Sequence, residues 1–184
     1  MKQALTQLSR MLSYALRHHP ESLGLQLDAE GWVDVQILLD ALSQHRKVWK
    51  DVQEADILEI MAQADKQRFE LKNGRIRAYY GHSLPQKIER TPDTPPVFLY
   101  HGTTSQAYTR IQQQGLRPMG RQYVHLSAEK ETAIQVARRR TSLPIILKIA
   151  AQDAALQGMH FYLGNDMVWL ADSIPPEWII VDPL

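Results

Sequence analysis

Hydrophobic residues at the start of the chain follow the helical period. They recur three or four residues apart at Leu5, Leu8, Leu12, Ala15 and Leu16, a spacing that predicts an amphipathic helix. Pro20 should end this helix, because a proline excludes the preceding residue, His19, from helical backbone angles. The helix therefore ends in a polar segment that begins Arg17-His18.

Two further helices and a hairpin are predicted before residue 80. Asp34 is placed to cap a helix that continues through Leu42, and Asp51 to cap a third helix. Asn73-Gly74 separates two short strands, and this dipeptide is a strong signal for a two-residue turn. Three helices followed by a basic hairpin predict a winged-helix lobe, a fold that often binds nucleic acid although fold alone does not determine function.

The second half of the chain alternates short strands with a smaller number of helices. Strands are predicted at 97–101, 123–126, 144–149, 159–163, 167–170 and 178–182, and helices at 105–114 and 128–140. Ser127 is placed to cap the second of these helices. This order predicts an α+β fold with a mainly antiparallel sheet.

A proline-rich segment separates the two halves. Residues 84–96 contain four prolines and no hydrophobic period, which is typical of a linker. We therefore predict two lobes, covering residues 1–90 and 97–184.

The composition excludes several classes of site and location. The chain of 184 residues contains no cysteine, which excludes disulfide scaffolds, thiolate nucleophiles and Cys-ligated zinc. No stretch approaches the roughly 20 apolar residues of a membrane span, and the first residues do not resemble a signal peptide. We therefore expect a cytoplasmic protein without a membrane partner.

Charge is informative only locally, because the net charge is +1. The segment from Lys66 to Arg90 holds seven basic and two acidic residues, and Arg138-Arg139-Arg140 forms a second basic run. Such clusters can bind phosphates, and they can equally form a solvated surface.

Polar residues at the ends of two predicted strands are candidate ligand contacts. The first strand leads into His101, Gly102 and Thr103, where the glycine would let a ligand approach the backbone closely. In the second strand, Arg121, Tyr123 and His125 would share one face if the strand alternation extends over all three. An arginine and a histidine on one sheet face are unusual for a core.

Arginines and histidines dominate the remaining candidates. Arg17 and His18 end the first helix, where the helix dipole alone could explain them or where they could bind an anion and move a proton. Arg68 begins the hairpin, and His82 follows a glycine. The chain has no P-loop, no Gly-x-Gly-x-x-Gly, no His-Glu-x-x-His and no Gly-x-Ser-x-Gly motif. Guanidinium groups without paired carboxylates favour a site that binds phosphate.

These segments together resemble the RNA 2′-phosphotransferase family (Tpt1/KptA) over nearly the whole chain. The matching motifs are Leu12 to Pro20, Gly24 to Asp28, Gly31-Trp32-Val33, Asp65 to Phe69, Ile76-Arg77-Ala78, Gly81-His82-Ser83, Tyr100 to Thr103, Arg121 to Ser127, and Phe161-Tyr162 with Asn165. The resemblance rests on their order and spacing.

The resemblance implies a winged-helix lobe, a second lobe with the ADP-ribosyltransferase fold, and catalysis in a cleft between them. The implied reaction consumes NAD and needs no metal. An internal RNA 2′-phosphate attacks the nicotinamide ribose, and the ribose 2″-hydroxyl then attacks the phosphate. The products are RNA with a 2′-hydroxyl, nicotinamide and ADP-ribose 1″,2″-cyclic phosphate. The implied substrate is a tRNA-like RNA that carries an internal 2′-phosphate, for which tRNA splicing is one source, and no obligatory protein partner is expected.

The resemblance also implies roles for individual residues. Those expected to act in catalysis are Arg17, His18, Arg68 and Arg121. Those expected to bind NAD are His101, Gly102, Thr103, His125 and Ser127, and those expected to bind RNA are His82 and Arg77.

The chain departs from related patterns at two positions. The wider ADP-ribosyltransferase superfamily often has a glutamate on a late strand, where this chain offers Val168. A phosphate that is already anionic needs no carboxylate base, and a glutamate beside it would repel it. The family also often has Gln where Tyr80 stands, which leaves the role of that position undefined.

Two alternative functions remain compatible with the sequence. One is an ADP-ribosyltransferase that stops after the first step, with a terminal nucleic-acid phosphate or a small molecule as acceptor. The other is a non-catalytic winged-helix nucleic-acid-binding protein with a sensing domain.

Overall fold

The computed structural model describes residues 2–64 and 66–183. The chain divides into two compact units, Met1–Glu89 and Arg90–Leu184. Both units combine helices with antiparallel strands, which confirms the predicted α+β class. No helix within the described residues is long and apolar enough to cross a membrane.

Unit 1 consists of three helices and a small sheet. Its elements are α1 (Lys2–Arg17), β1 (Val33–Asp34), α2 (Val35–His45), α3 (Glu54–Ala62), β2 (Phe69–Lys72) and β3 (Arg75–Ala78), with 3-10 turns at Pro20–Leu23 and Lys47–Trp49. The strands are antiparallel in the order β1-β3-β2. The core lies where the apolar stripe of α1 meets the other helices and the sheet, and its fully buried members include Leu12, Leu16, Leu38, Leu42, Ile57 and Ile76.

Three local predictions for unit 1 are confirmed. Helix α1 ends at Arg17, before Pro20. The Asp34 carboxylate caps α2 by accepting hydrogen bonds from the backbone amides of Gln36 (2.7 Å) and Ile37 (3.3 Å). The hairpin turn has positive φ at both Asn73 (52°) and Gly74 (70°), as a type I′ turn requires.

The predicted cap of the third helix is wrong. Asp51 lies in a turn, and α3 begins three residues later at Glu54. The cap residue is Gln53, whose backbone amide donates to the Asp56 carboxylate at 2.8 Å. An acidic residue at the third helical position satisfies this amide, so the helix starts where that partner is available.

Unit 2 is built around a six-stranded antiparallel sheet. Its elements are β4 (Leu99–Thr103), α4 (Ser105–Gln114), β5 (Val124–Ser127), α5 (Lys130–Ala137), β6 (Ile145–Ile149), α6 (Ala151–Leu156), β7 (Phe161–Asn165), β8 (Val168–Ala171) and β9 (Ile179–Asp182), with a 3-10 turn at Pro176–Trp178. The strand order is β7-β8-β5-β4-β6-β9.

Several boundaries in unit 2 differ from the prediction. Helix α4 lies where it was predicted, whereas the short helix α6 was not predicted. Ser127 does not cap α5, because it is the last residue of β5 and pairs with both Tyr100 and Val168. Strand β5 thus lies one residue later than the predicted 123–126, and α5 begins at Lys130 rather than at 128.

The sheet of unit 2 is two three-stranded halves joined at a single place. Strands β4, β6 and β9 form one half through long ladders, and β5, β8 and β7 form the other. The halves share one paired position, Tyr100 with Ser127. Strands β4 and β5 therefore separate beyond that pair, on the side of His101.

The predicted linker has no regular secondary structure, and its two ends belong to different units. Ile88 is buried, and the Glu89 amide donates to the carbonyl of Ala29 in unit 1. Asp93 forms a β-bridge with Phe161 in unit 2.

Helix α5 packs on β4 at Gly102. An ideal Cβ atom at this position would lie 2.5 Å from the Ala133 carbonyl oxygen and 2.6 Å from the Ala137 Cβ atom. Both distances are shorter than real Cβ contacts, so only glycine fits. The packing of α5 is thus sufficient to explain the glycine, and the expected contact of Gly102 with NAD stays a prediction.

Replacing Gly102 by alanine should destabilise the protein. The added Cβ atom would push α5 from the sheet, and overpacking of this kind costs about 1–3 kcal/mol. The measurement is the urea unfolding midpoint, with Gly120→Ala as the control because a Cβ atom there would meet nothing within 4 Å. Equal midpoints for the two variants would contradict the close packing.

Candidate functional site

The end of α1 is joined to two other parts of unit 1. Arg17 is the last residue of the helix, and its Nη2 donates to the Arg68 carbonyl at 3.3 Å. Its guanidinium carbon lies 5.5 Å from the centre of the Tyr80 ring, within the range of a cation–π contact. The side chain thus connects the helix end to the start of β2 and to the segment after β3.

Arg68 is held at the beginning of the hairpin. Its carbonyl accepts from the Tyr79 amide at 3.0 Å as well as from Arg17, and its Nη1 donates to the Lys66 carbonyl at 3.4 Å. Arg68 also lines a cavity of about 130 Å³ together with Phe69 and Tyr79. The Arg17 side chain therefore contacts the backbone of Arg68, and a shared catalytic role for the two residues stays a prediction.

His18 contacts a residue that the sequence interpretation did not assign a role. The His18 Nδ1 atom lies 2.8 Å from the Ser83 hydroxyl, and the Ser83 amide donates to the Arg17 carbonyl at 3.0 Å. Gly81 precedes this contact with a φ of 91°, which favours glycine. The signal for Ser83 in the sequence was its place in the motif Gly81-His82-Ser83.

The two residues predicted to bind RNA have other contacts within unit 1. His82 is 3% exposed and lies against Gly31, where a Cβ atom would be 3.6 Å from the imidazole Nε2. Arg77 forms an ion pair with Glu70 at 2.7 Å, and its guanidinium lies 4.3 Å from the centre of the Trp32 ring. These contacts give both residues a structural role, and RNA binding by either stays a prediction.

His101 in unit 2 has a defined tautomer. Its Nδ1 lies 2.9 Å from the backbone carbonyl oxygen of His125. A carbonyl only accepts, so Nδ1 carries the proton and Nε2 is an acceptor in the neutral ring. The hydrogen bond spans β4 and β5 where they separate.

The surroundings of His101 keep its ring neutral. Burial lowers the pKa of His101, and the positive charges of Arg140 and Arg121 lower it further, while the hydrogen bond to His125 opposes the shift. The imidazole therefore stays uncharged at neutral pH.

His125 meets His101 through its backbone. Tyr100 and Ser127 are paired, and side chains alternate along each strand, so the rings of His101 and His125 belong to opposite faces. The structure thus brings the two histidines together without pairing their rings.

The prediction that Arg121, Tyr123 and His125 share one strand face is wrong. Strand β5 begins only at Val124, so the alternation does not extend back to Arg121. Arg121 lies exposed in a bend, whereas Tyr123 is buried and packs edge-on against Tyr162, with ring centres 5.3 Å apart. The charge of Arg121 nevertheless acts on His101.

Arg140 is a candidate that the sequence interpretation did not single out from its basic run. Helix α5 ends at Ala137, and the Arg140 amide donates to the Ala137 carbonyl at 2.9 Å. This turn follows the helix end that packs on Gly102, next to His101 in β4. The positive charge of Arg140 lowers the pKa of His101, so this member of the triple arginine acts on a residue of the sheet.

The other residues predicted to bind NAD occupy ordinary structural positions. Thr103 is 8% exposed at the end of β4, and Ser127 lies in the strand ladder. A cavity of about 380 Å³ in this unit is lined by Arg117 and Pro176, among others, and by none of the predicted residues. Within residues 2–64 and 66–183, no three histidine, aspartate or glutamate side chains are grouped to hold a metal ion.

Comparison with known proteins identifies similar sequences over nearly the whole chain. Residues 3–173 match the family model described as RNA 2′-phosphotransferase, Tpt1/KptA family. A probable RNA 2′-phosphotransferase from Acetivibrio thermocellus is 51% identical over 174 residues, covering 95% of each chain. Proteins with the same description from Bacillus thuringiensis (48% identity; 96% of this chain and 95% of the relative) and Lacticaseibacillus paracasei (45%; 97% and 94%) are also similar.

The pKa of His101 predicts a pH dependence of stability. Its pKa is lowered in the folded protein, so as pH falls below about 6.5 the unfolded chain takes up a proton that the folded chain does not. This lowers the free energy of unfolding at acid pH and has no effect well above neutrality. His101→Gln should therefore lose less stability than the original protein between pH 7.5 and 5.5, as measured by urea unfolding.

The control for this experiment is His160→Gln, which removes an exposed histidine from the same unit. That variant should keep the pH dependence of the original protein. If His101→Gln keeps it too, the ring of His101 is not held neutral.

Proposed function

Because the chain belongs to the RNA 2′-phosphotransferase, Tpt1/KptA family, we propose that it removes an internal 2′-phosphate from RNA in a reaction that consumes NAD. NAD supplies the ribose that accepts the phosphate, and the products are RNA with a 2′-hydroxyl, nicotinamide and ADP-ribose 1″,2″-cyclic phosphate. The observation that carries the proposal is the hydrogen bond from the Arg17 guanidinium to the Arg68 carbonyl, with His18 following Arg17 at the end of α1.

In this proposal, unit 1 binds the RNA phosphate. A phosphate monoester has a second pKa of about 6 and carries nearly two negative charges at pH 7. Arg17 and Arg68 supply two guanidinium groups that stay charged and can bind phosphate oxygens in pairs. The Arg17 guanidinium is held by its bond to the Arg68 carbonyl, and the Arg68 guanidinium by its bond to the Lys66 carbonyl, so each side chain is oriented before the substrate arrives.

His18 moves the proton in the second step. A bond forms between the ribose 2″-oxygen and phosphorus, and the bond between phosphorus and the RNA 2′-oxygen breaks. His18 takes the proton from the 2″-hydroxyl and returns it to the departing 2′-oxygen, so protons balance.

Unit 2 binds NAD. The neutral ring of His101 offers Nε2 as an acceptor for a ribose hydroxyl, since Nδ1 is committed to the His125 carbonyl. Arg121 and Arg140 supply positive charge near this ring, which suits the phosphates of NAD. His101 therefore orients the sugar without taking a proton from it.

The resemblance to the ADP-ribosyltransferase superfamily would place a glutamate on a late strand, where this chain has Val168. Val168 lies directly opposite Ser127 in the β5–β8 ladder. A carboxylate near an anionic nucleophile would repel it, and the phosphate needs orientation more than deprotonation. This supports a phosphate as the acceptor.

The proposed function is tested with NAD and an oligonucleotide that carries one internal 2′-phosphate. Mass spectrometry should identify dephosphorylated RNA and ADP-ribose 1″,2″-cyclic phosphate, and EDTA should not prevent their formation. A stable ADP-ribosylated product would instead assign the ADP-ribosyltransferase alternative. Salt-dependent RNA binding without release of nicotinamide would assign the non-catalytic alternative.

Arg68→Ala should lower turnover far more than it weakens NAD binding. The variant removes one guanidinium from the phosphate, and the loss of such a group costs about 100-fold or more in kcat. The measurement is kcat on the 2′-phosphorylated oligonucleotide together with the KM for NAD.

The control is Arg75→Ala in the neighbouring strand, where the arginine pairs with Asp28 at 2.6 Å. That variant should keep nearly full turnover. A large loss of NAD affinity with normal turnover at saturation in Arg68→Ala would rule out the proposed role.

A further inference from the structure

The segment that follows β3 makes several contacts with the end of α1. The Tyr80 ring lies under the Arg17 guanidinium, and Gly81 lies against the same side chain, where a Cβ atom would be 3.7 Å from Arg17 Cδ. Ser83 then contacts Arg17 with its backbone amide and His18 with its hydroxyl.

The position of Ser83 is fixed independently of its hydroxyl. Its backbone amide donates to the Arg17 carbonyl at 3.0 Å, which anchors the residue at the helix end. The hydroxyl oxygen then lies 2.8 Å from His18 Nδ1. Because one bond uses the backbone and the other the side chain, substitution of the side chain leaves the anchor in place.

A hydroxyl partner differs in kind from the partner of His101. The carbonyl of His125 only accepts, so it fixes a single tautomer and suits a ring that orients a ligand. A hydroxyl both donates and accepts, so Ser83 can pair with either neutral tautomer of His18 and with its charged form. The hydrogen bond between His18 and Ser83 can therefore persist whether or not the Nε2 atom of His18 carries a proton.

We propose that Ser83 is a positioning residue for His18. The Ser83 hydroxyl holds the His18 imidazole through Nδ1 in every protonation state of the reaction. The proposal rests on the proposed function. The proposal assigns the proton exchange to Nε2, the ring nitrogen that Ser83 does not contact. The proton that Nε2 takes from the 2″-hydroxyl is the one it returns to the RNA 2′-oxygen, and Ser83 itself gains and loses none.

The kinetic test compares Ser83→Ala with Ser83→Thr. The alanine variant should lower kcat about tenfold, a part of the 10²–10⁴ that a general acid–base contributes, and leave the KM for NAD unchanged. Threonine keeps the hydroxyl and should restore most of the turnover. The control is Ser22→Ala, which removes a serine hydroxyl bonded to the nearby His19 carbonyl at 2.6 Å and should have no effect.

The second readout does not depend on activity. The ring nitrogen shifts of His18, measured by ¹⁵N NMR on the full chain, should change in Ser83→Ala and stay close to the original in Ser83→Thr. Unchanged His18 shifts in Ser83→Ala, or a threonine variant as slow as alanine, would overturn the proposal. If the original protein does not remove a 2′-phosphate, the proposed function fails, and the proton-transfer role assigned to Ser83 fails with it even where the NMR shifts report the contact.

Discussion

Helix α5 approaches strand β4 so closely that residue 102 has no space for a side chain. This constraint determines much of unit 2. It places the end of α5 beside the middle of β4, and the chain that leaves the helix brings the charge of Arg140 to act on His101. The same strand joins the two halves of the sheet at Tyr100 alone. The close packing that requires Gly102 therefore also brings a positive charge, that of Arg140, to act on His101.

The two histidines that matter most have different partners, and their chemistry follows from the difference. His101 donates to a carbonyl between separating strands, and burial with two nearby arginines keeps it neutral. It is suited to orient a ligand. His18 lies at a helix end against a hydroxyl, which accepts or donates as needed. It is suited to exchange protons.

The arginines of unit 1 are organised by the backbone. Arg17 is attached to the Arg68 carbonyl, and Ser83 to the Arg17 carbonyl, so three segments distant in sequence are tied by main-chain groups. The Arg17 guanidinium is the side chain that this arrangement holds, and a side chain held in advance loses less conformational entropy when it binds a ligand. Other arginines of the same basic segment, Arg75 and Arg77, are instead paired with carboxylates. Charge counts along the sequence do not distinguish these two groups.

Patterns among near neighbours in the chain were enough to predict the period of α1, the Asp34 cap and the Asn73-Gly74 turn. The α+β class and the family resemblance follow from the order of such patterns along the chain. The remaining features depend on tertiary contacts. Strand pairing made Ser127 the last residue of β5, and the packing of α5 explained the glycine at position 102. Ser83 and Arg140 were identified only by their effects on residues distant in sequence, His18 and His101. These features depend on atoms that are distant in sequence, and a local pattern carries no information about which distant group will fill a space or accept a hydrogen bond.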